Sequence, residues 1–342
     1  MSLDERKKLI LESIIRDYIE TAEPVGSRTV VRKHAMNISA ATVRNEMADL
    51  EMMGYLEQPH TSAGRIPSQL GFRYYVDWMM EKENISAEEM EALYAALNSE
   101  EHDWQQVVSE VVQFMARVSN YAAFIVVPPL RISQFRYLQL VPLNSHEALV
   151  LLLSDNGLVL HRRMSLPESV KMEDLQQIGE QFNNILRGRR MAELKKTDLR
   201  KLRSELSQKR RLIDRMLDSI DDVLDNKNDE KLLVSGALNI LKEPEFKDVE
   251  KLHRILMILE EEDLLRGMIP AQLKDDDVDI LIGKENRSED IQDLSMVLSS
   301  WKSSDEPGRI GLIGPVRMAY GKAAGTVEAV RNILQEILKS YY

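Results

Sequence analysis

The amino-acid sequence predicts an α+β fold in three parts: a helical N-terminal region with a short β-ribbon, a split α/β domain, and a helical insertion. Apolar residues recur at helical spacing within residues 3–53, which indicates several small amphipathic helices. Strand-like runs of aliphatic residues with turn signals follow at 122–163. A long segment of helical periodicity, 167–262, separates these strands from further strand-like runs at 278–282 and 309–313. This order predicts one α/β domain interrupted by a helical insertion.

Composition limits the possible classes of protein. The 342 residues are 44% hydrophobic and 30% charged, as in ordinary globular domains. The chain has no cysteine, which excludes disulfides, thiol nucleophiles and cysteine-based zinc sites. The longest apolar runs, 122–130 and 148–153, have the length of strands, and a charged segment follows Met1. We therefore expect no membrane span, no signal peptide and a cytoplasmic location.

The basic residues are distributed unevenly. The net charge is −11, yet residues 1–75 carry as many basic as acidic side chains, so the rest of the chain carries the excess. Two stretches, 24–45 and 59–74, contain no carboxylate. Their basic residues are Arg28, Arg32, Lys33, Arg44, Arg65 and Arg73. An acidic protein with one basic surface can bind phosphate there and repel it elsewhere.

Three short helices are predicted at the N-terminus. The first spans residues 3–21. Ser27 can cap a second helix at 28–34, and Ser39 can cap a third helix, which Gly54 stops. In the third helix, the positions predicted to face inward are Val43, Met47, Leu50 and Met53, and the polar side is Asn45, Glu46 and Asp49.

A ribbon and further helices follow this region. Residues 55–58 are predicted to form a strand, and 59–67, with the sequence PHTSAGRIP, a hairpin tip or wing. A helix is predicted at 70–80, and an acidic helical segment at 81–120.

The β-rich block contains four predicted strands with a hairpin turn at Asn156-Gly157. We expect this block to pair with the two later strand-like runs, as two halves of one domain. The four strands are at 122–127, 137–142, 148–153 and 158–163, and a final helix is at 325–340.

The turn between the second and third predicted helices has the spacing of a helix-turn-helix. In that motif the second helix of the pair enters the major groove of DNA, and its N-terminal residues meet base edges. Arg44 can contact guanine with two hydrogen bonds, Asn45 can contact adenine, and Thr42 a thymine methyl or a phosphate. Ser39 begins the same helix. The alternative is an ordinary helical bundle with a solvated basic face.

Residues on either side are candidates for holding the DNA backbone. Arg28, Arg32 and Lys33 of the second predicted helix suit phosphates, which fix register without reading sequence. The wing supplies a second set, and Gly64 allows a tight tip. The wing candidates are His60, Thr61, Ser62 and Arg65.

Several of these segments resemble one known family. EPVGSRTV (23–30) and SAATVRNEMADLEMMGYLEQPHTSAGRIPSQLGFRYYVD (39–77) are similar to the heat-inducible transcription repressor family HrcA. Later segments agree, and the resemblance extends over nearly the whole chain. It implies a winged helix-turn-helix, a GAF-like domain and an inserted dimerisation domain. The later segments are GALNIL, PEF, IGKEN and GLIGPVRMAY, which begin at residues 236, 244, 282 and 311.

The resemblance also implies a domain layout and partners. The partners are double-stranded operator DNA with an inverted repeat upstream of chaperone operons, a second copy of the chain, and the GroE chaperonin. Strand pairing across the long insertion is slow, so the apolar strands AAFIVV and ALVLLL are expected to stay exposed until their distant partners arrive. A chaperonin that captures exposed apolar surface would then assist folding. The layout is a winged helix-turn-helix at 1–80, a helical linker at 81–105, a GAF-like domain at 106–166 and 245–342, and an inserted helical dimerisation domain at 167–244.

Apolar residues in the insertion follow a heptad-like track, which Lys209 breaks once. Such a track fits either a helix packed on its own domain or a contact between subunits. We favour the subunit contact, because a protein that reads a palindrome needs a two-fold partner. The track consists of Leu199, Leu202, Leu206, Ile213, Met216, Ile220 and Val223.

No catalytic, cofactor or metal motif is recognisable in the sequence. The six histidines form no paired motif such as HExxH, and the glycines of 308–314 lack a dinucleotide fingerprint. The predicted function is therefore repression of heat-shock genes by operator binding as a homodimer, without catalysis. The alternative from another class is a ligand-sensing signalling protein whose DNA-binding region is secondary.

Overall fold

The structure is a computed structural model that describes residues 3–60, 63–97, 104–127, 135–154, 159–166, 172–189, 231–274, 277–302 and 307–340, together with residues 214 and 218. It mixes helices with antiparallel sheets, so the predicted α+β class is confirmed. The helices are α1 (Glu5–Thr21), α2 (Ser27–Lys33), α3 (Ala40–Met52), α4 (Gln69–Trp78), α5 (Ala87–Leu97), α6 (Trp104–Ser119), α7 (Met172–Leu186), α8 (Val249–Glu260), α9 (Glu262–Met268) and α10 (Tyr320–Ser340). The strands are β1 (Leu56–Glu57), β2 (Ile66–Pro67), β3 (Ala122–Val127), β4 (Phe135–Pro142), β5 (Glu147–Ser154), β6 (Val159–Ser165), β7 (Lys231–Ser235), β8 (Val278–Ile282), β9 (Leu294–Lys302) and β10 (Pro307–Pro315).

The N-terminal unit, residues 3–78, contains α1 to α4 and the ribbon of β1 and β2. Ser39 caps α3 as predicted, since its hydroxyl accepts a hydrogen bond from the backbone N–H of Thr42 at 3.0 Å. Gly54 follows the end of α3 with a φ of 82°, a left-handed conformation that glycine adopts without strain. The predicted boundaries of these helices are therefore close to those observed.

Two details of the N-terminal unit were predicted wrongly. Ser27 is the first residue of α2, and the N-cap is Gly26, which has an extended backbone and lets the helix begin one residue early. Met53 is 49% exposed rather than inward-facing, because it lies beyond the last residue of α3 and no longer shares its buried face.

The main sheet has five antiparallel strands in the order β7-β3-β10-β9-β8. All six residues of β3 are buried, and alternate residues face opposite sides of the sheet. Ala123 and Ile125 join the core formed with α6 and α10, which continues into the N-terminal unit. Phe124 and Val126 join a second core formed with α8 and α9. The main sheet is therefore covered by helices on both faces.

A second, three-stranded sheet has the order β4-β5-β6. Helix α7 packs on β4, where the side chain of Asn183 accepts from the backbone N–H of Leu138 at 2.6 Å and donates to its carbonyl at 2.9 Å. Among the described residues, β3 is the one strand of the predicted β-rich block that pairs with later strands of the chain. The expectation that the whole block joins them was wrong, because β4, β5 and β6 pair with one another in a separate sheet.

Two strands lie where no strand was predicted. β7 lies in the segment predicted to be helical, and becomes a strand because β3 offers it a free edge, with Val126 opposite Leu232. β9 was missed because serines interrupt its apolar pattern, although Ser295 and Ser299 are buried there. The turn predicted at Asn156-Gly157 lies outside the described residues.

Candidate nucleic-acid interface

The exposed face of α3 is determined by the burial of its opposite face. Val43, Met47 and Leu50 are buried in the core of the N-terminal unit. Because these three positions occupy one side of the helix, Arg44 and Asn45 are exposed on another. Both residues follow directly on the first turn of α3, the part of a recognition helix that meets base edges.

The other residues of the predicted polar side turn toward α1. Lys7 Nζ lies 2.6 Å from Glu46 Oε2 and 3.1 Å from Asp49 Oδ2. Hydrogen bonds to these two carboxylates raise the pKa of Lys7, so the lysine is charged in the folded protein. These ion pairs hold α3 against α1 and leave Asn45 free of them.

The first turn of α3 also shows how Ser39 and Thr42 are used. The two hydroxyl oxygens lie 2.9 Å apart, and the Ser39 hydroxyl accepts from the backbone N–H of Thr42. Both side chains therefore stabilise the start of the helix. A helix N-terminus with its backbone N–H groups directed outward is also a favourable place for a phosphate.

The three candidates on α2 differ in their surroundings. Arg28 and Arg32 are exposed and lie four residues apart, on one face of the helix. Lys33 Nζ instead lies 2.8 Å from Asp17 Oδ1 and 2.5 Å from Glu20 Oε2, and these hydrogen bonds raise its pKa. Lys33 thus fastens α2 to α1, and its charge is largely compensated within the protein.

The base of the wing is tied to its surroundings by Arg65. The guanidinium contacts Glu51 Oε2 through Nε at 2.9 Å and Nη2 at 2.8 Å. The backbone of Arg65 also forms two hydrogen bonds of 2.9 Å with the backbone of Val25. Because Val25 lies in the turn between α1 and α2, these bonds connect that turn to the wing. Gly64 permits this approach, since a Cβ there would lie 2.4 Å from the Val25 carbonyl oxygen. His60 is exposed at the other end of the wing.

The stretches 24–45 and 59–74 contain no carboxylate, but the fold brings carboxylates from other parts of the chain next to them. Asp17 and Glu51 compensate Lys33 and Arg65, respectively, and the guanidinium of Arg73 leaves the basic surface entirely. Arg73 Nε donates to Glu285 Oε1 at 2.8 Å, in a part of the chain far from the wing. The candidates Thr61 and Ser62 lie outside the described residues.

Three guanidinium groups remain available on the N-terminal unit. Arg28, Arg32 and Arg44 are exposed, and none of them forms an ion pair with another described residue. Each presents a planar fork of N–H donors that matches a phosphate group or the edge of a guanine. The short turn between α2 and α3 keeps these groups on adjoining helices. Their chemistry suits a polyanion with accessible base edges.

Sequence comparison with known proteins shows which family the chain belongs to. A sequence profile described as "HrcA protein C terminal domain" matches residues 105–324. The chain is 40% identical over 340 residues to the heat-inducible transcription repressor HrcA of Pelotomaculum thermopropionicum, covering 99% of this chain and 98% of that protein. The chain belongs to the HrcA family. The HrcA repressors of Desulforamulus reducens and Desulforudis audaxviator are 40% and 39% identical to it, with at least 99% of each chain covered.

A solved structure shares the HrcA-family fold seen here. The protein is described as hypothetical, and its crystal structure matches with a TM-score of 0.66 and 24% identity over 100% of both chains. The matched profile begins at residue 105, so the N-terminal unit is related to HrcA repressors through the full-length relatives. No helix in the described part of the chain combines the length and the apolar character needed to cross a membrane.

The predicted subunit contact of this HrcA-family chain is not among the residues placed by the structure. Leu199, Leu202, Leu206, Ile213, Met216, Ile220 and Val223 all lie outside the described residues. Sequence reasoning also missed Asp17 and Glu51, which decide which cations stay free. Both acids lie outside the acid-free stretches, and only the packing of the helices brings them to Lys33 and Arg65.

A cleft of about 440 Å³ lies beside β8, and its lining residues are distant in sequence from the wing. Its two acidic lining residues already have partners, since Asp279 accepts from the backbone N–H of Lys274 at 2.7 Å and Glu285 holds Arg73. The cleft therefore gives no specific support to the ligand-sensing alternative. Its lining consists of Met268, Pro270, Gln272, Leu273, Lys274, Asp279, Leu281, Glu285 and Arg287.

Proposed function

We propose that this chain is a repressor that binds operator DNA through a winged helix-turn-helix formed by α2, α3 and the wing. The observation that carries the proposal is the set of three exposed guanidinium groups on the helix pair, Arg28, Arg32 and Arg44, which form no ion pair with any residue that the structure describes. Family membership supports it, because the relatives are named heat-inducible transcription repressors. The protein acts by binding, in the cytoplasm, and not as an enzyme.

The two helices have different tasks in this proposal. Arg44 and Asn45 on α3 read base edges in the major groove, while Arg28 and Arg32 on α2 hold phosphates. Ser39 and Thr42 serve the start of α3 and contact the backbone of DNA from there. Lys33 and Arg65 act indirectly, since their ion pairs place α2 and the wing relative to α1 and α3. His60, Thr61 and Ser62 supply the wing contacts.

The operator is an inverted repeat, and the protein reads it as a homodimer. Two-fold symmetry in the DNA requires two N-terminal units related by the same symmetry. We place the subunit contact on the heptad-like track of the insertion, from Leu199 to Val223. The layout is a GAF-like domain built on the main sheet, and we revise the predicted insertion from 167–244 to 128–230, because β4, β5 and β6 pair with one another apart from that sheet. The pairing of β3 with β7 supports these edges.

The regulated genes are chaperone operons, and the GroE chaperonin maintains the active repressor. The topology of the main sheet supports a need for a chaperonin. β3 is fully buried, and its partners β7 and β10 lie far along the chain, with Ile125 opposite Ile310. Such pairing is slow and leaves apolar strands exposed during folding. During heat stress, unfolded proteins compete for the chaperonin, active repressor falls, and chaperone genes are expressed.

Selection of bound fragments from genomic DNA, followed by footprinting, tests this proposal. We expect a protected inverted repeat, and we expect the variant with Arg28, Arg32 and Arg44 replaced by alanine to lose the footprint. Arg254→Ala is the matched control, because Arg254 is an exposed arginine on α8. Recovery of no repeat, or equal loss of protection by Arg254→Ala, would contradict the proposal.

A further inference from the structure

The N-terminal unit is fastened to the rest of the chain at three places. The first is Arg317, which follows β10 and whose side chain is only 11% exposed. Its Nη1 donates to the carbonyl oxygen of Ile19 in the last turn of α1 at 2.8 Å. Nη2 donates to Glu243 at 2.5 Å, and Nε donates to Glu245. One guanidinium thus joins α1 to the segment after β7.

The carboxylates that hold Arg317 are themselves buried to a large extent. Burial raises the pKa of Glu243, although the charge of Arg317 opposes this effect. The Oε2 atom of Glu245 is buried and has no hydrogen-bond partner among the described residues. These carboxylates therefore depend on Arg317, and the guanidinium has a fixed position from which to hold Ile19.

The second contact lies on α4. Arg73 donates from Nη2 to the carbonyl oxygen of Ile280 in β8 at 2.6 Å and also binds Glu285. One turn earlier, the side-chain oxygen of Gln69 accepts from the backbone N–H of Lys284 at 3.0 Å. These bonds connect α4 to the edge strand of the main sheet and to the turn that follows it.

The third contact is apolar and joins α4 to the start of α10. The ring of Phe72 on α4 meets the ring of Tyr320 edge-on, with 5.9 Å between centroids. Both rings are almost wholly buried, and the Tyr320 hydroxyl donates to the carbonyl of Val316 at 2.5 Å. Beyond α4, Lys82 Nζ lies 2.9 Å from Glu328 Oε1 on α10, which also fixes the chain leaving the unit.

Because these contacts tie both α1 and α4 to the rest of the chain, they oppose movement of the N-terminal unit relative to the main sheet. We propose that Arg317 and Arg73 are positioning residues that fix the recognition helix relative to the two-fold axis of the dimer, and so select the spacing between half-sites. The inference rests on the proposed function. In this inference neither residue contacts DNA. Arg317 acts through α1, and Arg73 acts through α4.

Rigid attachment has a measurable consequence for binding. When two linked binding groups are held at the right separation, the second binds at a high effective concentration, but only where the geometry fits. A loosely attached unit would bind a single half-site equally well. It would bind the matched inverted repeat more weakly and mismatched spacings relatively better. Spacing preference therefore distinguishes positioning from DNA contact.

The experiment uses the full chain and the inverted repeat recovered by selection, rebuilt with its own spacer and with one to about ten base pairs inserted or removed. A duplex carrying one half-site is the reference. The variants are Arg317→Ala and Arg73→Glu, with Arg73→Glu/Glu285→Arg to restore the second ion pair. Because loss of Arg317 leaves two buried carboxylates, thermal unfolding is measured for each variant, and the more exposed Arg73 contact provides the independent test.

We expect the single variants to keep their affinity for one half-site and to lose about tenfold or more on the native spacing. We expect them to discriminate less against insertion of about five base pairs, which turns one half-site to the opposite side of the duplex. The charge-swapped double variant should regain the preference. Lys251→Ala is the control, because it breaks the ion pair of Lys251 Nζ with Asp293 at 2.8 Å, which lies outside the N-terminal unit. Its spacing preference should match that of the unmodified protein.

Two results would overturn the inference. One is an unchanged spacing preference in folded Arg73→Glu and Arg317→Ala. The other is tighter binding by these variants at the native spacing, which would make the contacts a restraint on DNA binding. Failure to recover any inverted repeat, or to bind one half-site, would instead count against the proposed function itself.

Discussion

Arg65 places both Nε and Nη2 within 2.9 Å of one carboxylate oxygen of Glu51, and this ion pair joins the base of the wing to the last turn of α3. The wing is thereby held against α3, the proposed recognition helix. Arg65 is thus better understood as a support for the wing than as a free phosphate ligand.

Replacement of Glu51 by alanine is expected to weaken operator binding, because the wing loses its attachment to α3. The pair is partly exposed, so the free energy of unfolding should fall by only about 1 kcal/mol or less. Glu57→Ala is the control, since Glu57 is an exposed acid on β1 and its loss changes the charge equally. Gel-shift titration compares the two. Equal or stronger binding by Glu51→Ala than by Glu57→Ala would show that the wing needs no such support.

Gly64→Ala is expected to displace the wing from the turn before α2. The added Cβ would lie 2.4 Å from the Val25 carbonyl oxygen and 2.5 Å from its carbon, so backbone must shift at a cost of about 1–3 kcal/mol. Gly26→Ala is the matched control, because its nearest neighbour, Thr29 Oγ1, is 3.9 Å away. Denaturant unfolding measures the difference. A Gly64 variant as stable as the Gly26 variant would mean that the wing moves freely.

Arg44→Ala and Asn45→Ala are each expected to cost about 1–3 kcal/mol of operator binding and to relax preference at one base position in each half-site. Arg32→Ala should weaken binding to all sequences alike and flatten its salt dependence, because it loses a phosphate contact. Competition with single-base operator variants separates the two patterns. If Arg44→Ala changed neither affinity nor base preference, α3 would not be the recognition helix.

The parts of the fold that could be predicted are those with local signals. The bounds of β3 were predicted as observed, and α3 was placed by its cap at Ser39 and its stop at Gly54. β9 was not predicted, because Ser295 and Ser299 break its pattern. Their burial depends on tertiary partners: the Tyr320 hydroxyl for Ser295 at 2.7 Å, and a backbone carbonyl for Ser299.

The candidate site shows the same division between local and distant signals. Exposure of Arg44 and Asn45 follows from helical periodicity, which the sequence contains. The compensation of Lys33 by Asp17, and the loss of Arg73 to Glu285, depend on packing between segments that are distant in the chain. Residue spacing in the sequence does not predict such pairs. They leave three arginines of the predicted basic surface without an ion pair among the described residues.

A double replacement, Ile213→Asp with Ile220→Asp, is expected to weaken the dimer. Two charges buried on the proposed subunit contact would lack partners, and the cost of burying them favours separate chains. Analytical ultracentrifugation measures the shift in the dimer equilibrium. Asp substitutions at two polar positions of the same segment that lie off the heptad-like track are the control for charge alone. A folded and fully dimeric double variant would return the heptad-like track to a contact within one chain.

Recovery of operator binding after denaturation is expected to be poor alone and better with chaperonin and ATP. The reason lies in the main sheet, where Val126 of β3 pairs with Leu232 and Ile125 pairs with Ile310. Until these distant pairs form, the six apolar residues of β3 are exposed in the folding chain. Slow pairing of this kind favours aggregation, and capture of the exposed strand prevents it.

Gel-shift titration after dilution from denaturant measures the yield of DNA-competent protein directly. Chaperonin without ATP is the control, since it can capture the chain but cannot release it for folding. The benefit should grow with temperature and protein concentration, because aggregation depends on both. Competing unfolded protein should remove the benefit, which is how heat stress would lower repression. Equal recovery with and without chaperonin, across temperatures and concentrations, would leave the proposed feedback without a physical basis in this fold.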